Sequence, residues 1–262
     1  MSPASLRGRT ETSSEKTLSV MDLFTPERPE WTVEAACDAL SLSESTVYRY
    51  FRSLAAAGLI FSIRPGRYLL GPGIVHYDRQ LRTSDPLLRA AEPSILQLTE
   101  IYRGPGTIFI SRIYRDHIMS MHEFRLGGRF AEGTYGRGLL APMFGGAPGL
   151  AILAFLEVRT ARSLFQKHAP ADEGEWLQIK RRMRAARASG YAAGVDEPDR
   201  GITYVSVPVL QDQGGVAGSL SLALPSEGAD VALAGKRLIR AASQIAQWAA
   251  SHASYDPVVS DH

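Results

Sequence analysis

Residues 32–58 constrain the fold more than any other segment, because TVEAACDALSLSESTVYRYFRSLAAAG has the pattern of two short amphipathic helices joined by a three-residue turn. The first helix carries one buried stripe at the i, i+3, i+4, i+7 spacing, formed by Val33, Ala36, Cys37 and Leu40. Thr32 is expected to cap this helix and Ser43 the next, while Gly58 ends the second helix because glycine tolerates a left-handed backbone. The segment therefore predicts a helix-turn-helix.

The second helix, predicted over residues 44–57, has two chemically different faces. Its apolar face consists of Val47, Tyr50, Phe51 and Leu54. Its free face consists of Ser45, Tyr48, Arg49 and Arg52. Guanidinium groups suit phosphates and guanine edges, and hydroxyls reach either phosphate or base. This face is suited to entering a DNA groove, although an exposed face with two arginines is also common on helices that bind nothing.

A basic hairpin is predicted directly after this helix, over residues 59–70. Two β-prone runs flank a Pro-Gly turn, with Arg64 and Arg67 on either side of its tip. Residues 45–71 contain four arginines and no carboxylate, so positive charge is concentrated where a groove would lie. A helix-turn-helix followed by a basic hairpin is the layout of a winged helix.

The composition limits the remaining possibilities. A length of 262 residues and 45% hydrophobic content predict two domains with real cores. A net charge of +2 requires that any DNA contact come from a local patch. No apolar run is long enough to span a bilayer and the first residues lack a signal-peptide pattern, so we expect no membrane association and a cytoplasmic location. The single cysteine excludes an intramolecular disulfide.

The chain is predicted to divide into an arm over residues 1–13, a winged helix over 14–71, a linker helix over 72–84 and a second domain over 85–262. Asp85 is expected to cap a helix that has Pro86 in its first turn. The second domain contains short β-prone runs at residues 107–114, 117–124, 202–210 and 216–224, and a final helix at 231–250. The predicted class is α+β, with a mostly antiparallel sheet.

Four features of the second domain could carry chemistry. The histidines lack a metal-ligand spacing, and we expect no metal and no cofactor. Residues 144–151, FGGAPGLA, lack the lysine of a phosphate loop and are better interpreted as the start of a helix whose N–H groups could hold a carboxylate. Asp196, Glu197 and Asp199 lie in an acidic loop whose carboxylates could be catalytic or metal-binding, but such a loop is more often a solvated turn than a site. Ser219 and Ser221 share one strand face and could line a pocket or an ordinary edge.

The order of these features resembles the IclR family of bacterial transcriptional regulators over nearly the whole chain. The resemblance rests on the helix-turn-helix and wing (LSLSESTVYRYFRSLAAAGLI, RYLLGPGI), on DPLLRAAEPSILQLTE, and on ARASGYAAGVDEPDRGITYVSVPV and GVAGSLSLALP. It implies a winged helix joined by a linker helix to a GAF-like domain that binds a small effector, commonly an organic or aromatic acid. It also implies a homodimer or a dimer of dimers bound to a double-stranded operator.

The resemblance assigns residues to two sites. DNA contacts would come from Ser43, Ser45, Thr46, Tyr48, Arg49, Arg52, Arg64 and Arg67. The effector would contact Met143, Phe144, Gly146, Ala147, Asp196, Glu197, Tyr204, Ser219 and Ser221. No catalytic residue is implied. Two positions depart from the family pattern: Glu44 stands where many members have lysine, and Tyr204 where many have cysteine.

Two other functions remain open from sequence. The second domain could turn over its ligand as an enzyme, for which Asp196, Glu197 and Tyr204 are the only obvious candidates. It could alternatively be a purely structural dimerisation domain, in which case a tightly filled interior is expected. The regulator interpretation predicts instead that two recognition helices enter successive major grooves of a pseudo-palindromic operator.

Overall fold

A computed structural model describes residues 12–102, 104–127, 133–168, 172–211 and 214–252. The chain divides into two compact units, Met1–Ser84 and Asp85–His262. Most of the arm predicted over residues 1–13 lies outside the described residues; Thr12 is the N-cap of the first helix and Ser13 is its first residue. Each unit has its own hydrophobic core.

The N-terminal unit is a small helical domain with a three-stranded sheet. Its elements are α1 (Ser13–Ser19), a 3₁₀ turn (Val20–Leu23), β1 (Trp31–Thr32), α2 (Val33–Leu40), α3 (Glu44–Ala56), β2 (Ile60–Arg64), β3 (Arg67–Leu70) and α4 (Gly73–Ser84). The helix-turn-helix corresponds to α2 and α3. Ser41 makes the turn between them with a left-handed backbone, at φ 55°.

The core of this unit confirms the predicted helix faces. The apolar residues of α3, Val47, Tyr50, Phe51 and Leu54, are all buried. The Thr32 hydroxyl caps α2 by accepting a bond of 3.1 Å from the N–H of Ala35. Ser43 occupies the N-cap position of α3, as predicted, although its hydroxyl makes no capping bond to the helix backbone.

The wing is an antiparallel hairpin of β2 and β3, with Gly66 at its tip in the left-handed region at φ +75°. Strand β1, which the sequence pattern did not reveal, pairs with β3 and makes a sheet of order β1-β3-β2. A helix, α4, covers most of the segment predicted as a linker, and none of its side chains is buried.

The C-terminal unit is built around an antiparallel sheet. Its strands are β4 (Thr107–Tyr114), β5 (His117–Arg125), β6 (Leu140–Pro142), β7 (Ala192–Val195), β8 (Ile202–Leu210) and β9 (Val216–Pro225). Its helices are α5 (Pro86–Ile101), α6 (Ala147–Leu153), α7 (Val158–His168), α8 (Glu173–Ser189) and α9 (Val231–His252). The strand order is β6-β5-β4-β9-β8-β7, which agrees with the predicted α+β class.

Alternation along the strands gives this sheet two different faces. One face contributes Ile108, Ile110, Leu220 and Leu222 to a core shared with α5 and α9. The opposite face carries aromatic residues and serines, and its core includes residues of α6 and α8. The second face carries Tyr204, Ser219 and Ser221, three of the residues that the sequence assigned to an effector.

Asp85 anchors the start of the C-terminal unit. One of its carboxylate oxygens accepts hydrogen bonds from the N–H groups of Leu87 and Leu88, which confirms the predicted cap. Arg112 of β4 donates to both carboxylate oxygens, at 2.6 and 3.0 Å. The Asp85 side chain is only 4% exposed, so these bonds replace the water that the carboxylate loses on folding.

No helix in the described part of the chain has the length and hydropathy of a bilayer-spanning segment.

We expect Asp85→Ala to lower the free energy of unfolding by about 2–4 kcal/mol, because it removes both a helix cap and one partner of a largely buried ion pair. Asp230→Ala is the matched control, since Asp230 caps α9 at an exposed position and its loss should cost only about 1 kcal/mol. Urea unfolding of both variants measures the difference. Equal losses would contradict a stabilising role for the Arg112 pair.

Candidate nucleic-acid interface and ligand site

The free face of α3 is exposed as a continuous polar surface. Tyr48 is 59% exposed, and Ser45, Arg49 and Arg52 are also exposed. Among the described residues, neither arginine makes an ion pair, although the Arg49 guanidinium lies 5.8 Å from the centre of the Tyr50 ring. The helix thus holds its arginines on the side opposite the buried stripe, where they are available to phosphates.

A small hydroxyl cluster lies at the N-terminus of α3. The Ser43 hydroxyl is 2.8 Å from that of Thr46 and 3.3 Å from that of Ser45. Glu44 is the first residue of the helix and is exposed. A carboxylate stabilises a helix N-terminus, but it repels DNA phosphate at the same place.

The two arginines of the wing differ in their partners. Arg67 forms an ion pair with Glu30, which lies just before β1. Arg64 is exposed and, within the described residues, has no carboxylate partner. Arg64 is therefore the wing residue whose charge is not already balanced by a neighbouring side chain.

The predicted effector residue Tyr204 is buried on the second sheet face and belongs to a hydrogen-bonded cluster whose other members are half-buried. Its hydroxyl donates to Asp199 at 2.5 Å. The same carboxylate accepts from the N–H of Thr134 at 2.8 Å and from the Thr134 hydroxyl at 2.9 Å. The cluster joins the acidic loop to the segment around Thr134, and the donor capacity of the Tyr204 hydroxyl is used inside it.

These contacts shift the pKa values of the cluster in opposite directions. Burial would raise the pKa of Asp199, but hydrogen bonds from Tyr204 and Thr134 outweigh burial and hold this pKa below its ordinary value. Burial, together with the Asp199 carboxylate, raises the pKa of Tyr204 far above its ordinary value. The pair is therefore a neutral phenol bound to an ionised carboxylate at neutral pH.

Two aromatic rings, those of Tyr135 and Phe109, pack against the ring of Tyr204. The ring centre of Tyr135 lies 5.0 Å from that of Tyr204, in an edge-to-face arrangement. It lies 5.7 Å from the ring centre of Phe109, on which Tyr135 stacks. Two glycines make room for the phenols: a Cβ on Gly133 would lie 2.2 Å from the Tyr204 hydroxyl, and one on Gly146 would lie 2.1 Å from that of Tyr135. The rings form an aromatic wall at this end of the sheet face.

The other predicted effector residues are distributed over several environments. Met143 and Ala147 are fully buried, and Phe144 packs against Phe165 and His168. Asp196 accepts bonds from the N–H of Gly201 and from a serine hydroxyl, and its side chain is exposed. Glu197 is exposed and lies 3.4 Å from Arg182.

Serines cover the part of the sheet face next to the aromatic wall. Ser221 accepts a bond of 2.8 Å from Ser206 on the neighbouring strand. Ser219 is completely buried, and its hydroxyl has no partner among the described residues. Both positions lie on the face that carries Tyr204 and Phe109, as the alternation along β9 predicts.

Sequence reasoning missed Asp199, Thr134 and Tyr135. Asp199 stands in the acidic loop that the sequence singled out, but the pattern did not show which carboxylate turns inward. Tyr135 stands in a glycine-rich stretch with no strand or helix pattern.

No group of three or more histidine, cysteine, aspartate or glutamate residues in the described ranges could hold a metal ion.

The Asp199 cluster predicts a specific pH dependence for Asp199→Asn. Because folding lowers this pKa, the carboxylate stabilises the fold at neutral pH and loses that effect as pH falls below the ordinary value of about 3.9. The melting temperature of the wild type should exceed that of the variant at neutral pH, and the gap should narrow as pH falls through this range. Glu227→Gln, at an exposed carboxylate of the same unit, is the control and should have the same melting temperature as the wild type. A gap for Asp199→Asn that is constant with pH would contradict the assignment.

Comparison with known proteins identifies both units. The model of the IclR helix-turn-helix domain matches residues 13–60. The model of the C-terminal domain of the bacterial transcriptional regulator IclR matches residues 108–251. The HTH-type transcriptional regulator XynR of Escherichia coli (strain K12) is 26% identical over 217 residues, which are 80% of this chain and 84% of that protein.

Solved structures show the same fold. An IclR-type regulator from Alicyclobacillus acidocaldarius has a TM-score of 0.73 at 22% identity and covers 92% of this chain and 100% of its own. An IclR homologue from Microbacterium hydrocarbonoxydans, in complex with 4-hydroxybenzoate, has a TM-score of 0.74 at 18% identity and covers 91% of this chain and 99% of its own. Because the two family models together match well over half of the chain, it belongs to the IclR family of bacterial transcriptional regulators.

Proposed function

We propose that this protein is a ligand-responsive regulator that binds operator DNA through α3 and the wing. The observation that carries the proposal is the division of α3 into a buried apolar stripe and an exposed face with Arg49 and Arg52. In a winged helix this places two guanidinium forks where a recognition helix meets base edges and phosphates. The family membership supports the same conclusion.

The proposed DNA interface extends beyond the two arginines. Its members are the predicted residues Ser43, Ser45, Thr46, Tyr48, Arg49, Arg52, Arg64 and Arg67. Hydroxyls at the start of α3 would contact phosphate or base, and the wing would contact the backbone beside the groove. Arg64 would contribute more than Arg67, whose charge is already paired with Glu30.

The proposed assembly is a homodimer or a dimer of dimers. A two-fold axis would place two copies of α3 in successive major grooves about 34 Å apart, so the operator would be pseudo-palindromic. The helix α4, at the predicted linker over residues 72–84, would transmit the effector signal to the spacing of the two recognition helices. Selection of duplexes from a random pool by the full-length protein tests the symmetry of the operator.

The proposed effector is a small organic or aromatic acid bound on the second face of the C-terminal sheet. The buried Tyr204, Ser219 and Ser221 and the aromatic wall support a ligand with an apolar body and a polar end. The complex of a structurally similar IclR homologue with 4-hydroxybenzoate supports the same class of ligand. A thermal-shift screen of such acids identifies the effector, because a ligand of the folded state raises the melting temperature.

We infer that the C-terminal unit binds its ligand without converting it. The inward carboxylate, Asp199, is held by three hydrogen bonds from Thr134 and Tyr204, so most of its acceptor capacity is already used within the fold. Asp199 and Tyr204 are the residues of this face best suited to acid–base chemistry, and their hydrogen bonds to each other and to Thr134 support a structural role for both.

Arg49→Ala and Arg52→Ala should each weaken binding to a duplex selected by the wild type, by about 1–3 kcal/mol where the arginine contacts a guanine edge. Each should also reduce the slope of log affinity against log salt by about one unit where the arginine contacts a phosphate. Fluorescence anisotropy over a range of salt concentrations measures both. Arg184→Ala is the control, because Arg184 is exposed on α8 in the other unit. Unchanged affinity and slope for both α3 variants would exclude them from the interface.

Glu44→Lys should strengthen binding to the same duplex, because it replaces a carboxylate that repels phosphate with an ammonium group at the N-terminus of α3. The slope of log affinity against log salt should become steeper by about one unit, as expected for one added phosphate contact. Glu92→Lys makes the same charge change at an exposed position of α5. It should change both the duplex affinity and its salt dependence less than Glu44→Lys does. Equal effects of the two variants would show that only the total charge matters, and would place Glu44 away from the DNA.

A further inference from the structure

On the second face of the C-terminal sheet, three neighbouring buried serine hydroxyls have no hydrogen-bond partner within the described ranges. They belong to Ser111 on β4, Ser120 on β5 and Ser219 on β9, whose residues are at most 2% exposed. Among the described residues, none of the three hydroxyl oxygens has a donor or acceptor within bonding distance. We call these three residues the serine trio.

The strand register brings the trio together. Ser111 pairs directly with Ser219 across β4 and β9, and with Ser120 across β4 and β5. Residues opposite each other in an antiparallel sheet have side chains on the same face and Cβ atoms about 4.5–5.5 Å apart. The three residues therefore form one row across three neighbouring strands, with Ser111 in the middle.

A neighbouring pair on the same face shows that serines at these positions can satisfy one another. Ser206 on β8 and Ser221 on β9 are also fully buried and are hydrogen-bonded at 2.8 Å. The trio makes no such bonds, although its members are adjacent. Buried hydroxyls without partners cost free energy, and native proteins keep few of them without a reason.

The fully buried side chains that flank the trio are apolar. Phe109 lies two residues before Ser111 on β4, and Ile118 lies two residues before Ser120 on β5, so both flank the trio on its own face; both are buried. The buried polar residues in the described part of the chain include no lysine, arginine or histidine, and Arg137, which pairs with Ser120 in an isolated bridge, is half-buried and donates to the Met121 carbonyl. The trio thus offers hydroxyls rather than a counter-charge, which favours an uncharged partner.

We propose that the serine trio is a polar subsite of the effector pocket and that it holds an uncharged hydroxyl group, phenolic or alcoholic, of the bound ligand. Each serine can donate one hydrogen bond and accept others, so the trio complements a group that both donates and accepts. Apolar contacts with Phe109 and Ile118 fit a hydrocarbon body beside that hydroxyl. The inference rests on the proposed function, since it extends the effector site across the sheet onto β4 and β5.

The ligand-free protein provides the first test. Ser111→Ala, Ser120→Ala and Ser219→Ala each remove a hydroxyl that has no partner, so their melting temperatures should equal or exceed that of the wild type. Ser206→Ala is the matched control on the same face: it leaves the Ser221 hydroxyl unpaired and should lower the melting temperature. If the trio variants fall as far as this control, the trio hydroxyls are already satisfied in the free protein and the proposal is overturned.

Calorimetric titration with small probes provides the second test. Phenol and cyclohexanol distinguish a phenolic from an alcoholic ligand, and anisole lacks the donor. At least one of the first two should bind the wild type more tightly than anisole. Its Kd should rise at least about tenfold in Ser111→Ala and Ser219→Ala, and much less in Ser206→Ala. Hydroxyl probes that bind no better than anisole, or trio variants with an unchanged Kd, would overturn the subsite.

Binding of the selected duplex by the same ligand-free variants separates this inference from the proposed function. The trio variants should bind the duplex as the wild type does. A wild type that binds no duplex contradicts the proposed function, whereas normal DNA binding together with hydroxyl-independent ligand binding contradicts only the serine trio.

Discussion

Successive side chains of a β-strand point to opposite faces of the sheet, and the C-terminal unit depends on this constraint. Along β4 and β9 the alternation sends aliphatic residues towards α5 and α9, and aromatic residues and serines to the other side. One face can therefore be a continuous hydrophobic core that holds the sheet together. The opposite face carries polar groups without weakening that core, and this separation allows a stable domain to contain buried hydroxyls.

The N-terminal unit applies the same separation to a helix. The buried stripe of α3 packs the helix against α2 and the wing. Arg49 and Arg52 are exposed and take no part in this packing. Their positive charge is offset at the N-terminus of the helix by Glu44, which favours the helix but opposes phosphate. The apolar face of the proposed recognition helix thus positions it in the unit. Its affinity for DNA would depend on charged side chains that do not stabilise the fold.

Elements with strong periodicity could be predicted from sequence, and elements formed by tertiary pairing could not. The faces of α3, the Asp85 cap and the four long strands follow from local patterns, and the structure confirms them with ends that differ by at most one or two residues. Strands β1, β6 and β7 have only two to four residues, too few for a periodic signal, and exist because a longer strand lies beside them. The helix predicted over residues 72–84 corresponds to α4, which occupies Gly73–Ser84.

The candidate ligand face was only partly predictable, for a geometric reason. Ser219 and Ser221 share a strand, so alternation alone places them together, whereas Ser111 and Ser120 meet them only through the register of β4 with its two neighbours. That register includes a shift between Ile110 and Ser111, which no local pattern reveals. The acidic loop was recognised, but the direction of each carboxylate depends on its backbone: Asp196 has a left-handed φ of 53° and is exposed, while Asp199 turns towards Tyr204.

The central claim is that a ligand on the sheet face of one unit controls DNA binding by the other, and thermodynamic linkage tests it most directly. The affinity for a selected duplex is measured with and without saturating effector, and the affinity for the effector with and without saturating duplex. The account predicts that both affinities change by the same factor, between about 5-fold and 150-fold, because coupling between two sites is reciprocal. If saturating effector leaves duplex affinity unchanged and duplex leaves effector affinity unchanged, the two units do not form a ligand-controlled switch.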